Sequence, residues 1–232
     1  MASIIRAANE PGDMFAAGCT MTTTASIIER CRALGFTAAG VVEARPAERT
    51  AAALAWLEAG RHGSMAWMAR HVAVRLDPLA LVPGARSIIC VADRYADGRR
   101  DGAPQPLRGR IARYARGADY HVTLRARLRQ LADELRAAHP GHRFRVCVDT
   151  APILEREHAA RAGLGDIGKN TLLIAPGLGS WLLLGEIVTT LALDSTVAAT
   201  EHDPCGACTR CIDACPTQAI APWSVDASRC VS

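Results

Sequence analysis

The sequence predicts a mixed α/β fold of the α+β kind: one sheet domain flanked by helices, followed by a small cysteine-rich module. Three observations predict it. Helix-period and strand-like segments alternate from about residue 24 onward. Five of nine cysteines, Cys205, Cys208, Cys211, Cys215 and Cys230, crowd the carboxyl end, and the composition changes near Asp203. No internal repeat or low-complexity linker interrupts the chain. The boundary is placed between Leu193 and His202, which divides the chain into an extension over 1–23, a sheet domain over 24–198 and a module over 199–232.

The elements follow from local pattern. Residues 25–35 read as a helix and 38–43 as a short strand. Pro46 is read as the start of a second helix, with Leu54 and Leu57 on its apolar face and Gly60 near its end. The β-rich run over 86–92 follows the turn Pro83-Gly84 and predicts a buried strand. Residues 99–116, rich in Arg, Gly and Pro, read as a long loop. Asp119 is a helix N-cap; Leu124, Leu128, Leu131 and Leu135 mark one face of the helix that follows, and Pro140 stops it. Residues 144–148 read as a strand running into Asp149, and Pro152 as the first turn of a helix reaching about Ala162. Residues 171–174 and 181–189 read as two more strands around Pro176-Gly177.

Composition excludes several classes. Half the 232 residues are hydrophobic and 22% are charged, as in an ordinary globular protein. The net charge of +4 permits contact with a polyanion without demanding it. No apolar run approaches the roughly 18–20 residues of a membrane span. Residues 1–20 carry Glu10 and Asp13 and make a poor secretory signal; they read as a disordered upstream extension before a cleaner start at Met21, or as a short ordered arm. Crowded cysteines without a signal peptide point to metal rather than disulfides, and to the cytoplasm.

The spacing Cys205-x2-Cys208-x2-Cys211-x3-Cys215-Pro216 is that of a bacterial ferredoxin. Three thiolates two residues apart wrap one cubane, and the fourth serves a different cluster. A zinc ribbon would need two Cys-x2-Cys hooks across a long spacer. Cys205, Cys208 and Cys211 are assigned to one 4Fe-4S cluster, Cys215 and Cys230 to a second. Five ligands are too few for two clusters, so a chain continuing past Ser232 is expected. Gly163-Leu164-Gly165-Asp166-Ile167-Gly168-Lys169-Asn170 fits two nucleotide patterns in part. A dinucleotide fingerprint needs a strand before it and a helix after it, the inverse of the order here. A phosphate loop needs Ser or Thr where Asn170 stands. A glycine turn ending a helix, or a loop letting backbone approach a large flat ligand beside Lys169, fits better.

Several blocks resemble the epoxyqueuosine reductase family over about residues 24–232. They are His62-Gly63-Ser64-Met65, Met68-Ala69-Arg70-His71, Leu81-Val82-Pro83-Gly84-Ala85-Arg86-Ser87, and Arg113-Tyr114-Ala115-Arg116-Gly117 with Asp119-Tyr120-His121. Val148-Asp149-Thr150-Ala151-Pro152 with Glu155-Arg156, Ala162-Gly163-Leu164-Gly165 with Gly168-Lys169-Asn170-Thr171, Gly179-Ser180-Trp181 with Leu184-Gly185-Glu186, and Glu201-His202-Asp203 belong to the same set. Asp166 departs from it, standing where an aromatic residue is more usual. Reductive dehalogenases share the plan but fit these blocks less well.

The resemblance implies a cobalamin-binding sheet domain with a partial bacterial-ferredoxin-like 4Fe-4S module over it. It implies an oxidoreductase that reduces the epoxide of epoxyqueuosine in the tRNA anticodon loop, with electrons passed through two 4Fe-4S clusters to base-off cobalamin from an unidentified donor. Asp149 is implied as the proton donor; the alternative is that it caps the following helix. Arg75, Ala112, Leu173, Leu184 and Ser232 are implied as cofactor contacts, Arg75 being otherwise a solvated arginine. His121 and His158 read as helix-surface or satisfied core residues. Arg108, Arg110, Arg113 and Arg116 could meet phosphate. A monomer is expected, and no membrane partner. The competing readings are an electron carrier serving another enzyme, a related corrinoid reductase such as a reductive dehalogenase, and an RNA-binding or assembly fragment without chemistry.

Overall fold

The computed structural model describes residues 23–96, 101–102, 107, 109–196 and 203–231. The elements in chain order are α1 (Thr24–Ala33), β1 (Ala38–Glu43), α2 (Thr50–Glu58), α3 (Trp67–Arg70), α4 (Val72–Leu76), α5 (Pro78–Leu81), β2 (Ser87–Arg94), α6 (Tyr120–Ala138), β3 (Phe144–Cys147), α7 (Glu155–Arg161), β4 (Asp166–Ile167), β5 (Leu173–Ile174), β6 (Leu182–Thr189), α8 (Arg210–Asp213), β7 (Ile220–Ala221) and β8 (Ser224–Val225). Ser232, the extension over 1–22, Arg108 and the stretch before Asp203 where the boundary was placed lie outside the described residues.

One four-stranded sheet, in the order β1-β2-β6-β3, organises the fold, and every neighbouring pair is antiparallel. Its register aligns Val41, Ile89 and Ile187 across the three strands β1, β2 and β6, with Val146 of β3 beside Ile187. Side chains alternate faces along a strand. On β2, Ile89 and Val91 join Ile27 of α1 and Leu124, Leu128, Leu131 and Leu135 of α6 in one core. Ile88, Cys90 and Ala92 join Ala159 of α7, Ala162 and Val188 in a second core on the opposite face. A strand sandwiched this way is apolar throughout, which explains the unbroken hydrophobic run.

Local signals place the helices. Thr23 and Ser26 form a reciprocal capping box at the start of α1. The Asp119 carboxylate accepts the His121 N–H at 2.8 Å and starts α6 where expected. Two glycines permit close approach. A Cβ at Gly185 would stand 2.8 Å from Leu128 Cδ1, so α6 rides directly on β6. A Cβ at Gly40 would stand 2.3 Å from the Ala162 carbonyl oxygen, so the end of α7 rests on β1 backbone.

Three elements depart from the sequence reading. The second helix begins at Thr50, not Pro46, because the intervening amides have tertiary partners: Ala47 donates to the Leu76 carbonyl (2.8 Å) and Glu48 to the buried Glu157 carboxylate (2.7 Å). That helix buries no residue, and Leu54 is 45% exposed. Its apolar side faces a cleft rather than the core. α7 begins at Glu155, not Pro152: the Ile153 N–H closes a tight turn onto the Ala151 carbonyl (2.9 Å) while Ile153 enters the core. The strand read over 171–174 pairs only at Leu173 and Ile174, against β4.

Candidate functional site

A cleft of about 1150 Å³ lies between α2–α4, the turn after β3, the loop between β4 and β5, and the cysteine-rich segment. Several hydrogen bonds dock that segment. Trp56 Nε1 donates to the Val225 carbonyl (2.7 Å) and Arg61 Nη1 to Ser224 Oγ (2.8 Å). The Trp223 N–H donates to the Lys169 carbonyl (2.9 Å). Lys169 Nζ donates to the carbonyls of Gly206 (2.6 Å) and Cys208 (3.2 Å). The glycine–lysine loop therefore grips the cysteine loop, while Ile167, Asn170 and Thr171 line the cleft.

Backbone N–H groups already address two of the sulfurs. The Lys169 N–H lies 3.3 Å from Cys205 Sγ and the Ala219 N–H 3.2 Å from Cys215 Sγ. Desolvation would raise the Cys215 thiol, but hydrogen bonds from Ala219, Thr217 and Ile220 outweigh it and hold the thiol below its ordinary value. Burial does the opposite elsewhere: it pushes Cys31 and Cys147 up to about 12 and Cys90 well above its usual range, so these three are core residues. Cys211, Cys215 and Cys230 line the cleft; Cys205 and Cys208 stand outside it. Among the described residues no three His, Cys, Asp or Glu side chains sit close enough to share a single metal ion. A cubane binds each thiolate to a different iron, so its ligands stand farther apart than those of one ion.

Arg75 of α4 borders the cleft with its guanidinium 5.6 Å from the Trp67 ring centroid. Its Nε and Nη2 are buried, with no hydrogen-bond partner among the described residues. Desolvation lowers its pKa, offset in part by Glu155. Buried donors without acceptors are costly, at roughly 1–3 kcal/mol each. Buried donors left without acceptors at the border of a large cleft suit a ligand edged with amide oxygens, as cobalamin is. The donor chemistry here therefore fits both implied groups.

Asp149 follows β3 at φ +54°. The Thr150 N–H bonds the Val148 carbonyl at 2.5 Å, closing a three-residue turn of positive φ around Asp149. Such turns are rare and strained, by about 1–3 kcal/mol. The Asp149 N–H donates to Glu155 Oε1 (2.7 Å), and its Oδ2 lies 3.0 Å from His121 Nε2. It does not cap α7, whose N-cap is Leu154 with no side-chain bond. The Asp149 side chain is 57% exposed.

Sequence reasoning missed three neighbours of Asp149: His121, Tyr120 and Glu155. His121, read as a helix-surface residue, bridges Asp119 Oδ1 (2.8 Å) and Asp149 Oδ2, and its pKa is raised chiefly by the Asp149 hydrogen bond and then by Asp119. Tyr120 stacks on the His121 ring at 4.0 Å; burial and then the charge of Asp149 push its hydroxyl up to about 12. Glu155 lines the cleft behind Asp149. Burial, then the like charge of Glu186, pushes its carboxyl up to about 8. Glu186 in turn is fully buried against His158 Nδ1 (3.0 Å), whose Nε2 has no hydrogen-bond partner among the described residues. The blocks containing Asp119-Tyr120-His121 and Glu155-Arg156 were the signals for His121 and Glu155.

Three further implied contacts, Ala112, Leu173 and Leu184, are not among the residues that line the cleft. Ala112 is an exposed residue capping the 3₁₀ turn Arg113–Ala115. Leu173 is 3% exposed within the second core, and Leu184 of β6 packs partly buried against it. Arg113 and Arg116 pair with Asp101 (3.4 and 2.6 Å), and Arg110 donates to the Gly102 carbonyl (2.6 Å).

Glu155 gives a pH prediction. An acid whose folded pKa lies above its unfolded value, about 4.3, holds its proton more tightly when folded. Stability then falls as pH rises from about 4.3 to about 8 and is level above. Charges facing Glu155 come from Arg75, Tyr120, Asp149, Arg156 and Glu186, with the thiols of Cys90 and Cys147, and all are retained in Glu155→Gln. The difference in Tm, variant minus wild type, is expected to move in the variant's favour between pH 5 and pH 8, read by thermal unfolding at fixed ionic strength. A flat difference would count against it.

The architecture and cleft define an α+β protein with a cysteine-rich segment docked beside a cofactor-sized cavity. Residues 75–150 match the family model "Epoxyqueuosine reductase QueG, DUF1730". An epoxyqueuosine reductase of Gloeobacter violaceus is 45% identical over 217 residues, covering 90% of this chain and 65% of that protein. The structure of epoxyqueuosine reductase from Streptococcus thermophilus superposes with a TM-score of 0.80 at 29% identity, covering 91% of this chain and 57% of the other. A crystal structure of epoxyqueuosine reductase with an epoxyqueuosine-modified tRNA stem loop gives 0.78 at 32% identity, over 90% of this chain and 56% of the other. Over the length it shares with them, the chain is homologous to the epoxyqueuosine reductases. It spans less than two thirds of the length of these relatives.

Proposed function

We propose that the full-length protein is an epoxyqueuosine reductase, an oxidoreductase acting on epoxyqueuosine in tRNA. In this reading residues 24–198 hold cobalamin, residues 199–232 carry iron–sulfur ligands, and the protein works as a cytoplasmic monomer with an electron donor of its own. One observation carries the reading: a single cleft is bordered by Arg75, whose buried Nε and Nη2 have no hydrogen-bond partner among the described residues, by Asp149, and by Cys211, Cys215 and Cys230. An electron carrier would need the cysteines and leave Arg75 and Asp149 unexplained. The tRNA stem loop held by one relative supports the choice of substrate.

Removing the epoxide oxygen as water, and leaving the alkene, takes two electrons and two protons. When bound, a reduced corrin cobalt supplied through 4Fe-4S clusters would bring the electrons. Arg75 would bind the corrin's amide side chains. Cys205, Cys208 and Cys211 would hold one cluster; Cys215 and Cys230 would contribute to the other. Asp149 would hold a proton at Oδ toward the epoxide oxygen. His121, with its raised pKa and Nε2 against Oδ2, would keep that carboxyl oriented and return a proton to it. Two clusters call for roughly eight thiolates, so turnover is assigned to the full-length protein.

The test is anaerobic reconstitution of that protein with iron, sulfide and cobalamin. A base-off cob(II)alamin EPR signal together with a cluster signal, and conversion of epoxyqueuosine to queuosine in tRNA on reduction, are expected. A cluster signal alone would favour the electron carrier. Neither signal would overturn the assignment.

A further inference from the structure

We propose that Glu155 is the latch that holds the Asp149 turn in its working shape, by accepting the Asp149 backbone N–H from below the cleft. The role rests on the reading of Asp149 as the residue that acts on substrate. Glu155 itself is a positioning residue.

The argument starts from the turn. Asp149 stands at φ +54°, and the Val148–Thr150 hydrogen bond closes the chain around it in three residues. A turn of that kind persists only where its surroundings determine it. Among the described residues, three hydrogen bonds from outside the turn reach it. Arg125 Nη2 donates to Thr150 Oγ1 at 3.3 Å, a long bond in an exposed position. His121 Nε2 meets Asp149 Oδ2, which orients the carboxyl but leaves the backbone free. Glu155 Oε1 takes the Asp149 N–H at 2.7 Å, the shortest of the three and the one that touches the backbone of the residue with positive φ.

The latch is also the best anchored. Glu155 opens α7, and the next turn of that helix buries Glu157, His158 and Ala159. His158 is locked to Glu186 in the middle of β6. The acceptor is therefore tied to the sheet, while the Asp149 side chain faces the open cleft. An N–H can be accepted by a carboxylate or by the carbonyl oxygen of a neutral carboxyl, so the latch holds whichever form Glu155 takes. The same logic separates a latch from a proton store. Glutamine keeps an acceptor oxygen and carries no transferable acid proton.

Amide-resolved hydrogen exchange on the full-length protein, without cofactor, tests the proposal. In Glu155→Ala the Asp149 amide is expected to exchange about three- to tenfold faster, the worth of one hydrogen bond, while amides of β6 stay within twofold of the wild type. Glu155→Gln is expected to restore most of the protection. An Asp149 amide unchanged in Glu155→Ala would overturn the latch. If Glu155→Ala loosened the whole domain, Glu155→Gln decides: a protected Asp149 amide with an intact fold supports the proposal, and an exposed one overturns it. In turnover, Glu155→Ala is expected to lower kcat with little change in KM, and Glu155→Gln to recover more of kcat than Ala does. The exchange readout does not depend on catalysis, so loss of the reductase reading would leave it standing, and its failure would leave that reading intact.

Discussion

Asp149→Asn is expected to lower turnover of the full-length protein by about 10²–10⁴-fold, the range for removing a positioned general acid, with cobalamin affinity essentially retained. The substitution preserves size and shape. The backbone N–H to Glu155 does not involve the side chain, and asparagine tolerates a positive φ as well as aspartate does. An amide oxygen can still face His121 Nε2, so the turn has every reason to form. What the amide cannot do is hold a proton for the leaving oxygen. Arg75, on α4, is untouched, so binding of the corrin followed by visible titration is expected to match the wild type. Single-turnover assays, with queuosine read by mass after nucleoside digestion, give the rate. A rate within threefold of the wild type would remove Asp149 from the mechanism, whatever its position in the cleft.

The largest stability effect is expected at Leu128. It is fully buried at the centre of α6, and its Cδ1 fills the space left by Gly185 on β6. Truncation to alanine removes the methyls that meet the sheet. Because the glycine beneath has no side chain to fall inward, the hole cannot close. A loss of about 2–5 kcal/mol is expected, or roughly 5–20 °C in Tm for a chain of this size. Leu54→Ala is the control: 45% exposed on α2, it is expected to change stability by no more than about 0.5 kcal/mol. Thermal unfolding of the two variants side by side checks both. Equal effects would mean that the α6–β6 contact does not organise this core.

The site was legible to different degrees. The cysteine spacing alone suggested the proposed cluster chemistry, because ligands of one cluster would lie within a few residues of each other, and local spacing sets local geometry. Asp149 and Arg75 came from resemblance, and the structure puts both on one cleft. His121 and Glu155 did not come at all as site residues. One lies 28 residues from Asp149; the other sits six beyond it, in a helix that starts later than the proline suggests. Their roles depend on where α6 and α7 aim their first turns after packing on opposite faces of the sheet. Leu173, at strand spacing, is buried in the second core, and Leu184 packs partly buried against it.

By itself the sequence determined the kinds and positions of most elements: the capped α1 and α6, the strands β1, β2, β3 and β6, and the cysteine module. Each depends on neighbours a few residues apart, through caps, the 3.6-residue stripe or an unbroken apolar run. Only the tertiary structure decided that the strands run in the order β1-β2-β6-β3, all antiparallel, and that α2 turns its apolar side to a cavity. It also decided that Glu155 bonds the backbone of Asp149. Those outcomes depend on which distant surfaces bury each other, and burial is a property of the folded chain as a whole.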